Sequence, residues 1–225
     1  MADSQNGWPV LDSLEDCTYY TINNDNNVRI PLEPGDAGWL LAAFVKRIDK
    51  FVEELDRTDT HGYNKRQIAN SDDWSNHASG TAADVNATKH VQGKVDTFTD
   101  AQVVKIRRIQ TDFDNVIKWG GDYRVLKDEM HFEIIGNKEE VHLATRVQKR
   151  YGKVALARLG PGKRNLDVYL VKRALRREGY DVGTYNFYFG VALTRALKKF
   201  QIDNQLSANG AADRKTVELL GLKPE

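Results

Sequence analysis

The chain has 225 residues, 40% hydrophobic and 29% charged. That balance suits a soluble globular protein, with length for one large domain or for a medium and a small one. The net charge of +1 hides a split: residues 149–225 carry 16 Lys and Arg against 7 Asp and Glu, and the other 148 residues carry 17 against 25. No run of 18 apolar residues occurs, so no membrane span is expected, and the single Cys17 excludes an internal disulfide and a cysteine-rich zinc site.

The first 25 residues carry Asp3, Asp12, Glu15 and Asp16 and no lysine or arginine, the opposite of a signal peptide. Residues 1–36, rich in Asn, Asp, Gly and Pro, read as irregular with a short strand at most. Residues 37–55 read as a helix: Leu40, Leu41, Phe44, Val45, Ile48, Val52 and Leu55 recur at helical spacing, and Asp36 can cap the start. Residues 57–81 are polar and loop-like. Ala82 to Asn86 is a strand candidate. Residues 99–117 read as a second helix, broken by Trp119-Gly120-Gly121-Asp122. Met130 to Ile135 is a second strand candidate, followed by a helix over about 139–150.

The stretch Arg158-Leu159-Gly160-Pro161-Gly162-Lys163-Arg164 marks a boundary, with two glycines around a proline. After it, 166–178, 190–203 and about 213–220 read as helices. The division is therefore 1–150, a linker over 151–164, and 165–225. The expected fold class is α+β: a small antiparallel sheet with flanking helices, followed by a small all-α three-helix domain. The excess of basic residues draws the second domain to a polyanion, whether nucleic acid, anionic lipid or an anionic cell wall; a solvated basic surface is the plain alternative.

Two segments carry chemistry: Ser75-Asn76-His77-Ala78-Ser79-Gly80-Thr81-Ala82-Ala83-Asp84 and Asp128-Glu129-Met130-His131-Phe132-Glu133. Zinc favours imidazole nitrogen and carboxylate oxygen, and a catalytic zinc keeps three protein ligands and one water. His77, Asp84 and His131 supply such a set if the two strands are neighbours. Asp128, three residues before His131, can take a proton from that water. Singly, each residue has a plainer reading, as a packed or surface histidine or as a turn aspartate. Ser75 either orients a ligand or forms the turn. Trp74 and Trp119 either line a groove or sit in the core. His61, His90 and His142 fall outside the two segments and read as non-ligands.

The first segment resembles the Ser-x-His-x-x-x-x-x-x-Asp motif of the LAS-type peptidoglycan peptidases. The sub-branch resembled holds the VanY-like D-Ala-D-Ala carboxypeptidases and the L-alanyl-D-glutamate endopeptidases of phages and bacteria. Asp128, His131, Phe132 and Glu133 resemble the second motif of that branch, and Trp119-Gly120-Gly121-Asp122-Tyr123 the segment before it. The resemblance covers about residues 37–136. It implies His77, Asp84 and His131 as zinc ligands and Asp128 as general base, where many members have Glu. It also implies an upstream basic residue near the substrate carbonyl or carboxylate, for which Arg66 is the candidate. Asn186 to Gly190, Ala196 to Gln201, Asn209-Gly210 and Thr216 resemble the three-helix peptidoglycan-binding domain, which usually has Asp-Gly where Asn186-Phe187 stand.

The resemblance implies a zinc metallopeptidase, a hydrolase of bacterial stem peptides that cuts at the L-Ala–D-Glu bond. The alternatives are a D-Ala-D-Ala carboxypeptidase on the same site and a non-catalytic wall-binding protein. A phage endolysin fits best: a monomer held in the host cytoplasm and released to the bacterial cell wall. Nucleic acid is not an expected partner, because no helix-turn-helix or zinc-finger pattern accompanies the basic charge.

Overall fold

The structure, a computed structural model, describes residues 2–150 and 152–225. It divides into two compact units, Met1–Thr145 and Arg146–Glu225. No helix among the described residues is long and apolar enough to cross a membrane.

The first unit begins with a hairpin where the sequence predicts mostly irregular chain. β1 (Thr18–Asn23) pairs antiparallel with β2 (Val28–Leu32), with Tyr20 opposite Ile30. β2 alternates as a half-buried strand should: Val28, Ile30 and Leu32 point inward and Arg29 points out. The tight connection is polar. The Asn23 side chain accepts from the N–H of Asp25, and Asn27 adopts a left-handed φ of 53°.

Next in the chain is α1 (Asp36–Phe51), and its apolar stripe of Leu40, Leu41, Phe44, Val45 and Ile48 is buried. Its cap differs from the expectation. Gly35 is the N-cap, and Oε2 of Glu33 accepts from the N–H groups of Gly35 and Gly38, at 2.8 and 3.1 Å. Glu33 thus supplies the carboxylate expected of Asp36, whose own side chain pairs with His142 at 2.7 Å. The helix also ends at Phe51 rather than residue 55, although Leu55 remains buried.

The second sheet positions the site. It has three antiparallel strands in the order β3 (Ala82–Asp84), β5 (His131–Ile134), β4 (Ile117–Trp119). α2 (Asp100–Asp112) precedes β4 and opens on a capping box, Thr99 with Gln102. The helix expected over 99–117 stops early, because Asp114 and Asn115 turn the chain at positive φ and Ile117 enters the sheet. Phe44 of α1 joins the layers: its ring meets Phe113 edge-on at 5.3 Å and Phe132 at 5.2 Å. α3 (Lys138–Arg150) comes after β5 and spans the boundary between the units in sequence.

The second unit holds α4 (Leu166–Arg177), α5 (Val191–Asp203) and α6 (Arg214–Leu219), the three helices expected. Asn165 and Asp213 cap α4 and α6 through their side chains. Val168, Val171, Leu175, Leu193, Leu197, Phe200 and Val217 are buried. The stretch expected as a linker has structure of its own. β6 (Lys153–Val154) pairs in parallel with β7 (Lys223–Pro224), and Arg164 bridges Tyr188. Fully buried Gln201 ties the end of α5 to the loop before α6 and to α6 itself. Its amide nitrogen lies 3.0 Å from Asn209 Oδ1, 2.9 Å from the Ala211 carbonyl and 3.0 Å from Thr216 Oγ1, and its amide oxygen accepts from the Gly210 N–H at 2.8 Å.

This packing is open to two stability measurements. Truncation of Phe44 to Ala removes a fully buried ring between two others and is expected to cost about 3–5 kcal/mol in urea unfolding followed by circular dichroism. Gln201→Ala strands a buried N–H and a hydroxyl and is expected to cost about 1–3 kcal/mol in the unfolding of the second unit, whereas the exposed Ile202→Ala stays within roughly 0.5 kcal/mol.

Candidate metal centre

The register of the three-stranded sheet sets Asp84 directly opposite His131. Directly opposed side chains in an antiparallel pair lie on one face and within reach of each other. Oδ1 of Asp84 is 2.9 Å from Nδ1 of His131. The third member comes from the turn before β3. The N–H groups of Ala78, Gly80 and Thr81 fold back on the carbonyls of Ser75, His77 and Asn76 and wind residues 75–81 into a tight loop. Gly80 has φ +66°, and a side chain there would meet the backbone N of Glu33 at 2.4 Å. Ser75 is a turn former here, its hydroxyl accepting from the His77 N–H at 3.3 Å.

His77 is oriented by a carbonyl. Its Nδ1 lies 2.6 Å from the oxygen of Gly62. A carbonyl only accepts, so a proton sits on Nδ1 and Nε2 is the nitrogen left to face the cluster. That Nε2 is 3.2 Å from His131 Nδ1 and 3.2 Å from Asp84 Oδ2. Among the described residues, His77, Asp84 and His131 form a group whose ligand atoms all lie within 4.8 Å of one another. Four donors about 2.0–2.1 Å from a tetrahedral zinc are separated by roughly 3.3 Å. The gaps of 2.9–3.2 Å come close to that spacing, and two imidazole nitrogens with one carboxylate are a zinc-type donor set. The donors fit the metal.

His131 has a partner on its far side. Its Nε2 faces Oε2 of Glu133 at 3.6 Å. The two residues are two apart on β5 and so share a face. Glu133 also accepts from the Asn76 amide at 2.5 Å and from the Tyr123 hydroxyl at 2.6 Å. Burial raises the cost of ionising Asp84, but the charge of His77 and hydrogen bonds from both histidines outweigh it and hold the carboxyl well below its usual range. Burial pulls His131 down, yet Asp84 and Glu133 together push it up to about 10. Glu133 is likewise opposed by burial and lowered to about 2, chiefly by His131. Burial and the neighbouring Glu133 charge raise the Tyr123 hydroxyl, so it stays a donor. A metal ion bound among these groups would compete with protons for the same nitrogen and oxygen atoms.

Asp128 lies in the turn that leads into His131. Its carbonyl accepts from the His131 N–H at 3.1 Å, and its own N–H donates to Gly120 at 3.1 Å. Gly120 must be glycine, since a side chain there would meet the Asp128 carbonyl oxygen at 2.3 Å. One carboxylate oxygen, Oδ2, accepts from the Gln92 amide at 2.9 Å. The other, Oδ1, is buried and has no hydrogen-bond partner among the described residues. Burial raises the Asp128 carboxyl; His131 opposes that rise and Asp84 adds to it. A carboxylate with one oxygen fixed and the other unpaired, and with raised basicity, suits a proton acceptor.

Arg66 is placed differently. Its carbonyl accepts from the Ser75 N–H at 3.1 Å, but its side chain is exposed and outside the cluster. Trp119 is core: 3% exposed, stacked on Phe132, its indole N–H donating to the Glu129 carbonyl at 2.7 Å. Trp74 is half-buried, with Lys65 over its ring. His61, His90 and His142 lie outside the metal group. His90 bridges Glu53 and Thr97, at 2.8 and 2.7 Å, and Thr97 bonds Glu129 beside Asp128. Sequence alone assigns no role to Gln92, Tyr123, Asn76 or Glu133. Asn76, Tyr123 and Glu133 lie inside the segments that the sequence singles out, Glu133 two residues from His131, and Gln92 lies outside them.

Residues 69–134 match the protein family described as D-alanyl-D-alanine carboxypeptidase, and residues 164–220 match the putative peptidoglycan binding domain. Neither the curated proteins nor the solved structures contain a match to the chain. The first match spans His77, Asp84, Asp128 and His131, and the second spans the three helices of the second unit and Gln201. The chain therefore carries one segment that matches a D-alanyl-D-alanine carboxypeptidase family and a second that matches a peptidoglycan-binding domain, and the two matches support a metallopeptidase-type hydrolase that acts on peptidoglycan.

Proposed function

We propose that the protein is a zinc endopeptidase of the endolysin type that hydrolyses the L-Ala–D-Glu bond of peptidoglycan stem peptides. The observation that carries this reading is the convergence of His77, Asp84 and His131, together with the unpaired oxygen of Asp128, three residues before His131. His77 Nε2, His131 Nδ1 and the Asp84 carboxylate would hold Zn²⁺. Bound there, zinc supplies a Lewis acid that polarises the scissile carbonyl and makes a water acidic.

The chain's own residues do the rest. Oδ1 of Asp128 takes the proton from the attacking water while Gln92 holds Oδ2. The same oxygen returns that proton to the leaving amine. Glu133 and Gly62 keep the two histidine rings from turning. Arg66, exposed and one backbone pairing away from Ser75, is the proposed partner of a substrate carbonyl or carboxylate. The second unit would keep the enzyme on the wall, its surplus of positive charge favouring an anionic polymer.

The second reading, a D-Ala-D-Ala carboxypeptidase, is favoured by the description of the matched family. Digestion of purified peptidoglycan by the zinc-loaded protein, with mass spectrometry of the products, separates the two. The endopeptidase yields fragments with a new D-Glu amine, leaving L-Ala on the glycan side. Release of D-Ala alone would establish the carboxypeptidase instead.

Substitution divides the metal from the base. Asp128→Asn is expected to lower kcat by about 10²–10⁴-fold with zinc content unchanged. His131→Ala is expected to lose the zinc itself, read by atomic absorption after dialysis. Equal zinc loss in both variants would overturn the assignment of Asp128 as base rather than ligand.

A further inference from the structure

The first residues of the chain lie outside the peptidase match of 69–134, yet they are stitched into the metal centre. Gln5 N–H donates to the Trp74 carbonyl at 2.9 Å, and Leu11 N–H donates to Ala78 at 3.0 Å. The strap Ser4–Val10 therefore lies along the loop that carries His77. Ser4 Oγ is 2.8 Å from Ser79 Oγ, inside that loop. Ser4 itself is buried, as are Ser79 and Thr81.

Asn6 is the node. Its amide nitrogen lies 2.8 Å from Thr81 Oγ1 and 2.9 Å from the carbonyl of Ile134. The first partner belongs to the His77 loop and the second to β5, the strand of His131. One side chain thus spans the two elements that must hold their ligands in register. Its backbone N–H reaches further, to Oδ1 of Asn76 at 2.9 Å. An N–H only donates, so Asn76 must turn its oxygen to Asn6 and its NH₂ to Glu133. Glu133, so engaged, presents Oε2 to His131 Nε2 and leaves Nδ1 facing Asp84 and His77. Asn6, Asn76, Glu133 and His131 form one continuous chain of oriented groups.

We propose that the Ser4–Val10 strap is a positioning element of the metal centre: the Asn6 side chain, by tying the His77 loop to β5, holds in place the backbone N–H that orients Asn76 and, through Glu133, the ring of His131. The proposal rests on the reading of His77, Asp84 and His131 as metal ligands. Its substance is that metal affinity depends on a segment some seventy residues from the first ligand. Outer partners that orient a ligating histidine typically control metal affinity by about 10–100-fold.

The test uses the full chain stripped of metal and titrated with Co²⁺, followed by visible absorption, with Zn²⁺ affinity read by competition. Asn6→Ala and Asn76→Ala are expected to bind each metal about 10–100-fold more weakly than the parent, with a changed Co²⁺ spectrum. Asn6→Asp is nearly isosteric and loses the donors to Thr81 and Ile134, so it carries the same test if Asn6→Ala fails to fold. Melting of the metal-free proteins separates a purely structural role. A strap that only stabilised the fold would lower the metal-free Tm and leave affinity and spectrum as they are. Unchanged affinity and spectrum in the folded variants would overturn the proposal and leave the metal reading standing. Failure of the parent chain to bind either metal would overturn both.

Discussion

The pairing of β3 with β5 in one register is the constraint on which the rest of the first unit depends. A shift of one residue would turn Asp84 or His131 to the other face of the sheet and separate the two. Much of the surrounding structure prevents that shift. Phe132, between the site residues His131 and Glu133, points the opposite way and is clasped by Phe44 and Trp119. On the outer side of β3, Asp84 exchanges both backbone hydrogen bonds with His61, at 2.8 and 2.9 Å. The apolar face of the strand thus sets the register in which its polar face is useful.

That polar face is costly to build. His77, His131, Asp128, Glu129 and Glu133 are all buried, and an unpaired buried charge is strongly destabilising. The fold meets the cost by closing most groups into pairs: carbonyl to imidazole at Gly62 and His77, carboxylate to imidazole at Asp84 and Glu133, amide and phenol to carboxylate at Asn76 and Tyr123. Glu129 accepts from the N–H groups of Asp96 and Thr97 at 3.0 and 2.9 Å, which anchors the loop before α2 beside Asp128. Against this background the buried Oδ1 of Asp128 differs in having no hydrogen-bond partner among the described residues.

How much of this is legible in the sequence depends on the range of the interaction. α1, α4 and α5 are readable because their apolar spacing repeats over three turns or more. The β1–β2 hairpin is not, because Asn23, Asn24, Asp25, Asn26 and Asn27 swamp two short strands with loop-like composition. β4 is only three residues long and comes so soon after α2 that Ile117 continues the helical pattern on paper. The left-handed turn at Asp114 and Asn115 is what separates them. His77, Asp84 and His131 are legible because each sits in a compact motif, and their convergence needed only one strand pairing. Gln92 and Asn6 are invisible because they reach Asp128 and Ile134 across 36 and 128 residues, and nothing in their own neighbourhoods marks them.

The short parallel pairing of Lys153–Val154 with Lys223–Pro224 has a consequence for the second unit's evolution. It brings the entry and the exit of that unit side by side. The N–H of Lys223 meets the carbonyl of Gly152, and that of Glu225 meets Val154. A module whose two ends leave from one spot can be spliced onto either terminus of a host chain, or into one of its surface loops, without pulling its own helices apart. Fully buried Asp167, gripped by Arg150 and Arg158 and by the Ala155 N–H, locks that junction from within. The geometry lets the unit keep its own helices in place whatever is joined to its paired ends.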